Sequence, residues 1–149
     1  MTTRPTIQWF GDLLLAPLPD GRNVRVVNEV CVVLDRRQVC IPADAITDGA
    51  SIPRLAWRAL GWTPFTGFCR RGAVVHDMLY RGLALVGTPC LRAEADLILY
   101  WLTRDDLETY YRTVTGWLNR ARYWRDRARC TAVYCAVRGF GVLAWKGQC

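Results

Sequence analysis

Apolar and polar residues alternate in short runs over the first 45 positions and then shift to helical spacing. Residues 24–27 and 30–34 are rich in β-branched side chains, which suit a pleated, half-buried surface. The polar stretch Asp35-Arg36-Arg37-Gln38 reads as a turn, and residues 39–42 return as a second strand. Pro19-Asp20-Gly21 supplies an earlier turn. With residues 35–38 as the loop, Val33 faces Cys40. Cys31 then lies on the same face as Cys40, one pair away, so a Cys31–Cys40 disulfide is a diagonal option.

Beyond residue 50 the spacing is helical. Residues 52–57 read as a short helix with Ser51 as N-cap and Pro53 in the first turn. The spacing predicts a helix over 71–84 that buries Val74, Val75, Met78, Leu79 and Leu83, with Gly82 able to end it early. Thr88 and Pro89 then read as the cap and first position of a helix turning Leu91, Ala95, Leu97, Ile98 and Leu99 to a core. Thr103-Arg104-Asp105-Asp106 has the form of another cap with acidic first-turn residues, opening a helix to about residue 128. The pattern predicts a single α+β domain over 1–149. Its N-terminal part, 1–44, is a small antiparallel β hairpin or sheet, and three to four helices follow.

The apolar segment 130–145 contains Arg138 and is shorter than the roughly 20 residues a spanning helix needs. It reads as packed or interfacial, so a membrane partner is not expected. Residues 1–8 are polar and Leu13-Leu14-Leu15 is too short for a signal core, so no secretion signal is expected.

With 149 residues, 52% hydrophobic content and seven tryptophans, the chain has enough apolar matter for an ordered core. Its net charge is +7 and its pI about 9.3. Lys146 is the only lysine among 20 basic residues, and the rest are arginines. Guanidinium forks suit carboxylate and phosphate and stack on aromatic rings. They concentrate at Arg120, Arg122, Arg125, Arg127 and Arg129, with Tyr123 and Trp124 interleaved. On a helix Arg122, Arg125 and Arg129 share a face that could meet an acidic protein rim or nucleic-acid phosphates. The candidate partner-binding residues are Arg120, Arg122, Trp124, Arg125 and Arg129. A solvated helix face is the alternative. No groove-reading motif accompanies them, so sequence-specific nucleic-acid binding has no support.

Seven cysteines with no C-x-x-C pair, beside a single histidine, do not suggest a zinc or iron–sulfur site, and no metal or other cofactor is expected. The odd count leaves one thiol free or intermolecular if the others pair. Cys31, Cys40, Cys130, Cys135 and Cys149 are the disulfide candidates. Cys69 and Cys90, among apolar neighbours, read as small core residues.

His76 is the one side chain that ordinarily titrates near neutral pH, so proton transfer would use it. Asp77 and Tyr80 stand at i and i+3, His76 and Tyr80 at i and i+4, and Arg92 and Asp96 at i and i+4. Packing of the loop at Asp48 and Ser51 against two helices would gather Asp48, Ser51, His76, Asp77 and Asp96 as a candidate catalytic set. Three chemistries are open to it. His76 can act as general base, oriented by Asp96 or Asp48, with water or Ser51 attacking a carbonyl. Asp48, Asp77 and Asp96 can hold a hard cation such as calcium while His76 activates water. Or the set is structural, with Asp48 capping a turn, His76 buried and hydrogen-bonded, and Arg92–Asp96 as a staple.

Thr47-Asp48-Gly49-Ala50-Ser51-Ile52-Pro53-Arg54, Ala73-Val74-Val75-His76-Asp77-Met78-Leu79-Tyr80 and Arg92 with Ala95-Asp96 closely resemble the phage and prophage family known as domain of unknown function 1353. The ending Ala136-Val137-Arg138-Gly139-Phe140-Gly141 with Trp145 also looks like that family's, so the resemblance covers about 45–145. It implies a bacteriophage protein of virion assembly or lysis, with no settled activity. The expectation is a virion component of the tail, baseplate or neck, made in the host cytoplasm and bound to other virion subunits. An envelope hydrolase acting on peptidoglycan or lipid with His76 as base, or a membrane-associated lysis accessory protein, is the alternative.

Overall fold

The computed structural model describes residues 4–49, 61, 63, 65, 67–86, 90–114, 116–143 and 145. Among the described residues, two small antiparallel sheets are built from six strands in the N-terminal half and one short strand between the first two of three α-helices, an α+β arrangement. One sheet has the order β1 (Ile7–Phe10), β4 (Val30–Leu34), β5 (Arg37–Ile41), β7 (Leu85–Val86). The other runs β2 (Leu15–Pro17), β3 (Val24–Val26), β6 (Ile46–Thr47).

The β4–β5 hairpin differs from the sequence reading in register. Its loop is Asp35 and Arg36 alone, and Leu34 pairs with Arg37. A φ of +54° at Asp35 provides the left-handed first turn residue that two-residue hairpins use to match strand twist. Asp35 exchanges hydrogen bonds with Thr6, fixing the turn against the start of β1. The shorter loop sets Cys31 directly opposite Cys40, and the two form a disulfide with Cα atoms 4.1 Å apart. The pairing is thus direct and not diagonal.

Helix α1 (Arg70–Tyr80) follows a short 3-10 turn at Gly67–Cys69. Every residue from Gly72 to Tyr80 is buried, so this helix is enclosed on all sides. It ends at Tyr80, with Gly82 at φ +67°, and Leu83 is left exposed instead of buried. Helix α2 (Arg92–Thr113) and helix α3 (Trp117–Phe140) follow and are the longest elements among the described residues. Glu94 accepts a hydrogen bond from the Leu91 amide at the start of α2 and an ion pair from Arg37, tying α2 to the hairpin.

Thr103 does not begin a helix. It lies buried inside α2, which ends at Thr113, and Gly116, with φ +111°, caps the start of the next helix. Asp105 and Asp106 serve as partners of Arg4 and Arg71. Ala95, Ile98 and Leu99 face the core as expected, Leu97 only partly, and Leu91 is exposed. The predicted helix at 52–57 and the Thr88–Pro89 start lie outside the described residues.

One apolar core lies between the sheets and α1, with Val26, Val32, Val39, Val74, Met78 and Leu102 among its members. A second joins the start of α1 to α2 and α3 through Cys69, Ala73, Leu99, Leu107, Cys130 and Val133. Cys69 and Cys90 are buried thiols, as their neighbours suggested. A Cβ on Gly72 would come 2.9 Å from the Thr103 hydroxyl, so glycine here lets α1 and α2 approach closely. Among the described residues no helix is long and apolar enough to cross a membrane.

Candidate functional site

His76 sits two thirds of the way along the enclosed helix α1, and Asp96 on the second turn of α2. Neither has any accessible side-chain surface. His76 Nε2 lies 3.0 Å from Asp96 Oδ1, and the Tyr80 hydroxyl donates to the same oxygen. The i, i+4 spacing on α1 stacks the His76 and Tyr80 rings 4.0 Å apart, so both reach one carboxylate. Oδ2 accepts from Arg138 on α3 at 2.9 Å, and the Arg92 guanidinium stands 3.6 Å away. Arg92 also donates to the Arg138 carbonyl at 3.2 Å. One carboxylate thus joins α1, α2 and α3.

Burial by itself would raise Asp96, but the hydrogen bonds from His76, Tyr80 and Arg138 outweigh it and hold this carboxyl below its ordinary value. Burial lowers His76, and Asp96 only partly opposes that. Neutral His76 beside ionised Asp96 must donate through Nε2–H, which leaves the lone pair on Nδ1. Among the described residues Nδ1 has no hydrogen-bond partner. Tyr80 is shifted upward by burial and by the anion it donates to.

Around this hub the end of the chain closes. Trp145 meets the Tyr80 ring edge-on at 4.9 Å. A Cβ on Gly141 would overlap the Tyr80 hydroxyl and stand 3.0 Å from two ring carbons, so only glycine fits without movement.

Asp77, next in sequence, is turned to the other side of α1 by the 100° helical step. It accepts from Arg81 at 3.2 Å, and Thr47 of β6 bonds it as well. Burial raises its carboxyl despite both partners, and Asp48 nearby adds to the rise. Arg81 also donates to the Ile46 carbonyl at 2.7 Å, and the Thr47 hydroxyl accepts from the Gly49 amide at 3.0 Å. Asp48 itself is exposed. The predicted set therefore divides: His76 with Asp96 in the hub, Asp77 with Thr47 and Asp48 at β6. Ser51 lies outside the described residues. Among the described residues no group of three or more His, Cys, Asp or Glu side chains is placed to hold a metal ion. Arg92–Asp96 is the anticipated staple, widened by Arg138.

The basic stretch lies on the first half of α3. Arg125 and Arg129 turn to Asp126, at 3.1 and 3.2 Å, and Tyr111 of α2 donates to the same carboxylate at 2.9 Å. Arg120, Arg122, Trp124 and Arg125 are exposed, and Arg129 is half-buried. Arg127 lies over the Trp124 ring, 5.2 Å from its centroid. A cavity of about 460 Å³ opens at the α2–α3 elbow between Arg112, Tyr111, Arg120 and Tyr123, on α2 and α3. Cys130, a disulfide candidate from sequence, is instead a free thiol buried in the second core, and burial pushes it up to about 12. Cys135 is free and exposed, while Cys149 lies outside the described residues.

Arg138 as a ligand of Asp96 was missed by sequence reasoning, along with the closing roles of Gly141 and Trp145. The signal was present: a lone arginine inside the apolar run 130–145 needs a buried partner.

These features define a small α+β protein whose helices are joined through an enclosed charged hub and whose basic and aromatic surface lies elsewhere. Residues 24–119 match the family described as "Protein of unknown function (DUF1353)", and the chain belongs to that family. The match starts at β3, before the resembling motifs, and ends at Asn119, ahead of Arg138. No curated protein and no solved structure matches the chain.

Proposed function

We propose that the protein is a structural or accessory component of a bacteriophage particle, placed at the tail, baseplate or neck, and that it works by binding neighbouring subunits. The observation carrying this reading is the enclosure of the His76–Asp96 pair. His76 and Asp96 have no exposed side-chain surface, whereas Trp117 and Trp124 on α3 are 78% and 55% exposed. A catalytic pair needs a path for substrate, and a docking surface needs displayed aromatic and guanidinium groups. The motif resemblance supports the phage setting. The Cys31–Cys40 disulfide supports a destination outside the reducing cytosol. Mass spectrometry of purified particles tests the reading: the chain in stoichiometric amounts is expected, and its absence from particles but presence in infected cells would overturn it.

His76 Nδ1, which has no hydrogen-bond partner among the described residues, favours a second reading, an envelope hydrolase. A carboxylate on one ring nitrogen and a free lone pair on the other is the arrangement of a general base. Under this reading His76→Ala abolishes hydrolysis of peptidoglycan or lipid while the fold survives. Under the first, the wild-type chain releases no product from either.

A further inference from the structure

We propose that the outward seam of α3 docks an acidic amphipathic helix of a partner protein. Trp117, Ala121, Trp124, Ala128, Thr131 and Cys135 succeed one another at alternating steps of four and three residues, and all six are exposed. That is the 3.5-residue period of a helix–helix seam. Asp126, Cys130, Val133 and Val137 repeat the same steps on the opposite face and are buried against the rest of the fold. Helix α3 therefore carries two seams, of which the described residues cover one.

The first four positions of the outer seam alternate large and small side chains. Trp117 and Trp124 project as knobs, while Ala121 and Ala128 leave hollows for a partner's larger residues. Two indoles this exposed on one stripe are uncommon on a surface that stays in water.

Charge selects the occupant. Arg120 and Arg127 flank the seam on one side, and Arg125 flanks it on the other. The one acid in this stretch, Asp126, is buried beneath Arg125 and Arg129. A second copy of α3 would bring arginines against arginines, whereas glutamates or aspartates flanking a partner's apolar seam would complement them. This proposal rests on the reading of the protein as a subunit-binding component and adds the chemistry of the subunit it meets.

The test uses the full chain and two dye-labelled synthetic peptides of four heptads, each with leucine at the seam positions. One carries glutamate at the flanks and the other lysine, and binding is followed by fluorescence anisotropy. The glutamate peptide is expected to bind, to weaken as salt rises, and to lose at least tenfold in affinity to the double variant Trp117→Ala, Trp124→Ala. Both positions are exposed, and an unchanged urea midpoint confirms that the variant is folded. The lysine peptide is expected not to bind. Binding of neither peptide, or of both alike, overturns the proposal. So does a self-dimer of the chain that the double variant dissociates, or a DNA duplex that binds with the same dependence on the two tryptophans. Absence of the chain from particles would sink the virion reading without touching the peptide result.

Discussion

Asp96→Asn isolates what the hub contributes. The substitution keeps size and shape but removes the charge that Arg138 meets at 2.9 Å and Arg92 at 3.6 Å. It also replaces one of two accepting oxygens by a donor, facing either the His76 and Tyr80 donors or Arg138. Removing one partner of a buried ion pair costs about 3–5 kcal/mol. The Arg92 and Arg138 side chains keep 24% and 36% exposure, so their freed guanidiniums rehydrate and the loss falls at the lower end, about 3 kcal/mol. That is a large part of the roughly 5–15 kcal/mol that holds a domain of this kind folded. With a urea dependence of about 2 kcal/mol per molar, the unfolding midpoint drops by about 1.5 M.

Asp77→Asn is the control, one residue away on the same helix. Burial already penalises the Asp77 carboxylate and raises it, so neutralising it forfeits less, about 1 kcal/mol or under. Urea unfolding followed by far-ultraviolet circular dichroism measures both. An Asp96→Asn midpoint within about 0.3 M of wild type, or a larger loss for Asp77→Asn, would refute the assignment of Asp96 as the tie between the helices.

Protonation gives an independent view of the hub. His76 lies below its ordinary 6.5 in the folded state, so the unfolded chain binds the extra proton first; the histidine's contribution is complete above about pH 6.5 and fades as pH falls, at up to about 1.4 kcal/mol per unit. The difference in urea midpoint between wild type and His76→Asn across pH 5 to 7.5 should show that slope, and a flat difference would contradict it. Gly141→Ala should cost about 1–3 kcal/mol by driving a methyl into Tyr80, and less in a Tyr80→Phe background, where the overlapping hydroxyl is gone; equal costs in a double-mutant cycle would place the clash elsewhere. Reduction of Cys31–Cys40 reopens a short loop, with a sequence separation of 9, and should lower stability by at most about 3 kcal/mol; an unchanged thermal midpoint with dithiothreitol would show that the hairpin holds without it.

The α+β division, the hairpin and the existence of helix α1, though not its full enclosure, were legible because β-branched runs and helical spacing are local signals. Register was not. Arg37 and Gln38 look like loop residues, yet Arg37 belongs to β5, opposite Leu34, and meets Glu94 of α2, a partner distant in sequence. Helix boundaries failed for the same reason. Asp105 and Asp106 resemble first-turn acids, but their partners are Arg4 and Arg71, far away in sequence. The true break at Gly116 depends on a left-handed backbone that only the folded elbow demands. Within the candidate set, His76–Asp96 joins across 20 positions, which no helical spacing announces. Asp77 and His76 were gathered in one candidate set, yet neighbours on a helix point about 100° apart, and that step alone divides them.

Access separates the two functional readings, and the hub's energetics fix what access requires. For His76 Nδ1 to reach water, packing around α1 must open, and that helix is buried from Gly72 to Tyr80. If opening breaks the Asp96 contacts, it costs about 3 kcal/mol, which leaves the open form near one molecule in roughly 150. A hydrolase could work through such a minor state, but its rate would carry that factor. Weakening the hub would then raise activity per folded molecule, because more molecules would be open. A structural hub behaves in the opposite way. Weakening it lowers stability and particle incorporation together, and no activity appears at any hub strength. Arg138→Ala distinguishes the cases, since it loosens Asp96 without touching His76. Faster hydrolysis per folded molecule than wild type would assign His76 to catalysis. Loss of stability with no hydrolysis would leave the histidine as the buried donor that keeps Asp96 in place.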